Sequence, residues 1–180
     1  FNIFYLLNDY IAKHSLCQLC IYFKNFHILS KKGEDSMINN DTIELLKECN
    51  AGVKMGVSSI DEVLPSVNNV ALKQKLVVCK DEHEKLGNET KTLLNQYEDS
   101  GKEPNPFAKS MSWLKTNVML GMDDSDKTIS DLITDGCNMG VKSLNRYLNQ
   151  YEAADEVSKD IAKRLINLEE KLAVDIREFL

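Results

Sequence analysis

Between Leu72 and Tyr97 the residues Leu72, Leu76, Cys79, His83, Leu86, Thr90, Leu93 and Tyr97 recur at alternating steps of four and three. That spacing follows the 3.6-residue helical turn, so it marks one face of one long helix for burial. A helix with a single apolar stripe is marginal alone in water and needs other helices to cover it. The rest of the chain supplies them.

Upstream, Leu46, Cys49, Val53, Val57, Ile60 and Leu64 share a face, with Asp41 or Thr42 as N-cap and Pro65 as terminator. Downstream, Asp123, Asp124 and Ser125 precede a third stripe of Ile129, Ile133, Gly136, Gly140, Leu144, Tyr147 and Tyr151. A fourth carries Ile161, Leu165, Leu168, Leu172, Ile176 and Phe179. No useful length of strand alternation occurs, so the predicted class is all-α. The connection over 99–128 is too long for a helix-to-helix turn and holds a candidate short helix around Trp113, which predicts a crossover along a bundle. The predicted architecture is a four-helix bundle of two antiparallel hairpins. An internal echo agrees: CNAGVK at Cys49 recurs as CNMGVK at Cys137, in the first and third helices. Gly52, Gly56, Gly136 and Gly140 each weaken a helix by about 1 kcal/mol relative to alanine, so close helix packing or room near the bundle centre is expected there.

The first 36 residues differ from the rest, being rich in Phe, Tyr, Ile, Leu, Asn and Lys. Asn8 and Asp9 interrupt the first apolar run, and Lys13, His14 and Lys24 punctuate the remainder, so neither a signal peptide nor a membrane span fits. Two readings stay open. His14, Cys17, Cys20 and His27 have a spacing able to surround zinc. Alternatively the segment is translated upstream DNA: Lys32, Gly33 and Glu34 back-translate to a purine-rich sequence just before Met37. The expected organisation is therefore a non-native 1–36 and a bundle domain over 37–180.

A net charge of −6 with no basic stripe argues against nucleic-acid binding. Five cysteines, an odd number without a secretory signal before them, disfavour a disulfide framework and point to the cytoplasm.

The segments IELLKECNAGVKMG, KDEHEKLGNETKTLL and WLKTNVMLGMDDSDKTISDLITDGCNMGVKSLNRYL together resemble the ferritin-like superfamily, and within it a bacterial family of unknown function. The resemblance covers about Thr42 to Leu180. It implies a four-helix bundle with a long crossover, and it implies no particular activity.

Di-iron members of that fold use a Glu from each of two helices and Glu-x-x-His from each of the other two. Here Glu82 is followed by Lys85, His83 is preceded by Lys80, and Glu169 and Glu170 are followed by Leu172 and Ala173, so both motifs are missing. Glu48, Glu82, Asp135 and Glu170 still offer one carboxylate per helix, though Glu170 lies off the apolar stripe and a solvated face accounts for the set. His83 is inward, one turn after Cys79. With a hairpin turn near Ser66, Cys49 lies level with His83, so Cys49, Cys79, His83 and Cys137 form a second candidate set, suited to zinc. Packing as small hydrophobes competes for the cysteines, and a buried neutral imidazole for His83. Nucleophilic catalysis is not expected from a thiol inside a bundle.

The expected function is a non-enzymatic bundle that acts by self-association, as a homodimer, or by protein binding, through apolar surface around Phe107, Trp113 and Met119. No cofactor is expected. The alternative is a divergent iron- or zinc-binding protein or oxidoreductase.

Overall fold

The computed structural model describes residues 40–104, 121, 123 and 125–180. The candidate zinc ligands His14 to His27, the Met37 start, the Trp113 helix and the Phe107–Met119 surface lie outside the described residues. Among those described, helix α1 covers 40–63 and runs into a 3-10 turn at Leu64–Ser66. Helices α2 (Val70–Gln96), α3 (Asp126–Gln150) and α4 (Glu156–Asp175) follow, and a last 3-10 turn occupies Arg177–Phe179. No described helix is long and apolar enough to cross a membrane.

Each start has a local cause. The Asn69 side chain accepts from Ala71 N and Leu72 N, Ser125 from Thr128 N, and Asp155 from Ser158 N, each supplying a partner for first-turn amides that the helix cannot pair itself. Pro65 cannot donate to a continuing α-helix, and the chain there tightens to 3-10 before extending at Val67.

Side-chain bonds between the ends set the topology. At one end both Asp126 carboxylate oxygens accept from Asn68 N and Asn69 N, each at 2.9 Å, tying the α1–α2 turn to the start of α3. At the other, Thr42 Oγ1 accepts from Asp155 N (2.8 Å) and Asp41 Oδ2 from Ala153 N (3.0 Å), tying the start of α1 to the α3–α4 turn. These two side chains, expected to cap α1, thus bind the opposite hairpin. Helices α1 and α4 run one way, α2 and α3 the other. The chain leaves α2 at one end and enters α3 at the opposite end, a distance of about 40 Å for a 27-residue helix. Residues 99–103 start that passage along α1: Asp99 pairs with Lys47 (3.0 Å), Lys102 with Glu48 (2.6 Å) and Glu103 with Lys54 (2.6 Å). Gly101 is needed there, because its φ of 81° is left-handed and a Cβ would sit 2.8 Å from Asn50 Oδ1.

Helix α4 packs against both α2 and α3. The core forms two clusters. One gathers Leu45, Leu46, Cys49, Leu86, Leu94, Leu144, Ile161 and Leu165 toward the α3–α4 turn. The other gathers Ile60, Val63, Leu72, Leu76, Cys79, Ile129, Ile133, Cys137, Leu172 and Ile176 toward the α1–α2 turn. Leu168 touches both. The apolar stripes are recovered with shifts of one residue. Leu94 rather than Leu93 is buried at the end of α2, as expected when a 3.5-residue pattern drifts on a 3.6-residue helix. In α3, Cys137 is buried and Gly136 is exposed.

A buried polar layer between α2 and α4

Between the two apolar clusters lies one polar layer. His83 of α2 is 1% exposed, and its Nε2 stands 3.1 Å from Oε1 of Glu169 on α4, whose side chain is 13% exposed. The other ring nitrogen, Nδ1, lies 2.9 Å from the Cys79 carbonyl oxygen and 3.5 Å from Cys79 Sγ. A carbonyl only accepts, so Nδ1 carries a proton and donates to it.

With acceptors at both nitrogens the ring sits where a second proton is favoured. Burial, the largest single influence, lowers the His83 pKa. The bonds to Cys79 and Glu169 outweigh it and raise the value to about 10. The surroundings of the ring therefore favour its protonated form.

The glycines make this layer fit. A Cβ on Gly56 of α1 would lie 2.8 Å from His83 Nε2 and 2.9 Å from its Cδ2. A Cβ on Gly140 of α3 would lie 3.3 Å from the Glu169 carboxyl carbon. Each hairpin thus leaves one position bare opposite the polar side chain of its second helix. Gly52 and Gly136 are exposed, with nothing close to them.

Of the thiols, Cys79 and Cys137 share a cluster with each other and flank the polar layer. Burial and then the Glu169 charge push the Cys137 thiol far up. Cys49 belongs to the other cluster. Gly56 rather than Cys49 faces His83, and the step of seven residues from one to the other amounts to about 10 Å along α1. The reason is the hairpin turn: the extended link at Val67–Asn69 moves the turn beyond Ser66 and lowers the level at which α2 passes α1. Burial and then Glu48 push the Cys49 thiol up to about 12.

The carboxylate set is dispersed. Glu48 pairs with Lys102, Glu82 pairs with Lys85 at 2.5 Å, and Asp135 and Glu170 are exposed. Among the described residues no three His, Cys, Asp or Glu side chains are grouped to hold a metal ion.

The sequence reading misses Glu169, which enters it only through the absent Glu-x-x-His motif. Its signal was available: it falls four residues after Leu165 and three before Leu172, on the same inward stripe.

Beside the layer the surface is indented. A groove of about 390 Å³ runs between α2 and α4, with Ala71, Val78, Leu168 and Leu172 as apolar lining and Cys79 in its wall. Lys75, Glu82, Lys171 and Asp175 line it as well. The sequence placed Cys79 wholly inside the bundle; it is 4% exposed, and it borders an open groove. No protein-family model, curated protein or solved structure matches this chain.

Proposed function

We propose that the chain is a non-enzymatic bundle of the ferritin-like type that acts by pairing with a second copy through the α2–α4 face. The hairpin–crossover–hairpin path supports the fold assignment. The charge pattern of the face carries the functional reading.

The pairs Lys75–Glu178, His83–Glu169 and Glu89–Arg164 show how α2 and α4 align, antiparallel and side by side. In that alignment Val78 and Val174, 55% and 52% exposed, stand at about the same level. A two-fold axis across the helices at that level would bring α2 against α2 of the second copy, and α4 against α4. Lys75 then approaches the acidic turn at Asp81 and Glu82, and Lys171 approaches Asp175. An isologous interface needs such self-complementarity. The area is adequate: α4 has 20 residues, about 30 Å, and a face two helices wide gives roughly 600 Å² per copy, near the usual 800 Å².

Sedimentation tests the reading. A dimer is expected at micromolar concentration, and Val78→Glu is expected to yield a folded monomer. Lys75→Glu alone should weaken the dimer, and adding Glu82→Lys should restore it. A wild-type monomer at a hundred micromolar would overturn the proposal.

A further inference from the structure

We propose that Cys79 is a peroxide-reactive thiol, activated by His83 and positioned by Glu169, that opens to solvent through the α2–α4 groove. Three observations converge on it. The sulfur lies 3.5 Å from the His83 ring, so an imidazole edge faces the atom on which negative charge develops. The far nitrogen of that ring is held by the Glu169 carboxylate, which fixes its orientation. Cys79 also borders a groove of about 390 Å³, ample for a small oxidant.

The other two described thiols provide the contrast. Cys49 is fully buried and belongs to the cluster away from the polar layer, which holds no imidazole among the described residues. Cys137 is beside the Glu169 carboxylate, whose charge opposes a thiolate. The titratable groups facing the imidazole are Cys79 on its own helix, Glu169 on α4 and, past Glu169, Cys137 on α3. Helix α1 meets the ring at bare Gly56.

The step is a two-electron oxidation. The Cys79 thiol first loses its proton to solvent, the thiolate attacks one oxygen of hydrogen peroxide, the S–O bond forms as the O–O bond breaks, and the departing hydroxide takes up a proton to leave as water. Cys79 becomes a sulfenic acid and the peroxide is reduced. If the α2–α4 face pairs as proposed above, the second copy covers the groove. The masking part of this inference rests on that reading; the reactivity does not.

The test exposes the full chain to hydrogen peroxide at pH 7, traps sulfenic acid with a dimedone probe, and reads each cysteine by peptide mass spectrometry. At nanomolar concentration Cys79 should react at least tenfold faster than Cys49 and Cys137, and His83→Gln should remove that advantage. An unfolded variant would reveal itself by fast labelling at all three sites, and the wild-type ratio then decides. Glu169→Gln should lower the titration midpoint of the His83 ring, followed by NMR, together with the Cys79 rate. Fast labelling that slows at high concentration supports both reactivity and masking. Equal speed at every concentration supports the thiol and refutes pairing on this face. Cys79 labelling no faster than Cys49 and Cys137 at nanomolar concentration overturns the proposal.

Discussion

Glycine-to-alanine changes one turn apart on α1 should have opposite signs. In an exposed helix interior the exchange stabilises by about 0.5–1 kcal/mol, because alanine loses less backbone entropy. At Gly52 nothing lies near the new methyl, so Gly52→Ala should realise that gain. At Gly56 the methyl would sit 2.8 Å from His83 Nε2, and the ring has no easy retreat, being bonded to the Cys79 carbonyl on one side and Glu169 on the other. Overpacking costs about 1–3 kcal/mol. If the ring swings away instead, a buried charge-assisted hydrogen bond worth about 1.5–3 kcal/mol is lost. After subtracting the propensity gain, Gly56→Ala should destabilise by about 1–1.5 kcal/mol, a sizeable share of a typical 5–15 kcal/mol. Urea unfolding measures both variants, with unchanged slope showing that the midpoint shift is a stability change. If Gly56→Ala is as stable as Gly52→Ala, the crowded His83 site is not there.

The pH dependence of stability follows from the same layer. The folded-state pKa of His83, about 10, lies above the ordinary 6.5, so its contribution is complete below pH 6.5 and is lost as pH rises toward 10. From pH 6.5 to about 8.5, before ordinary thiols titrate, unfolding free energy should fall by up to about 1.4 kcal/mol per pH unit. His83→Gln should flatten that slope, and a wild-type profile already flat would exclude a buried imidazolium. Removing the counter-charge with Glu169→Ala should cost about 3 kcal/mol in chemical denaturation, since it strands the imidazolium; a loss below 1 kcal/mol would mean that His83 is neutral. Asp126→Ala removes both bonds that tie the α1–α2 turn to α3, and should cost about 1 kcal/mol and speed amide exchange at Asn68 and Asn69. Unchanged exchange there would contradict that tie.

Much of the architecture is local and was therefore legible in the chain. Stripes at steps of three and four, the Ser125 cap and Pro65 each act within one helical turn, so the sequence alone determined four helices and their inward faces. Even the place of His83 on a buried stripe needed only its spacing. What it bonds to did not follow, because that depends on the relative height of two helices far apart in the chain. A link after Ser66, extended at Val67 and Asn69, was enough to put Gly56, instead of Cys49, opposite His83. Glu169 and His83 meet because α2 and α4 lie side by side, a tertiary contact that no short motif announces. The sequence determined which faces had to be buried; only the packed bundle decided which polar groups met there, since the depth of a hairpin turn sets the register along the whole length of its helices.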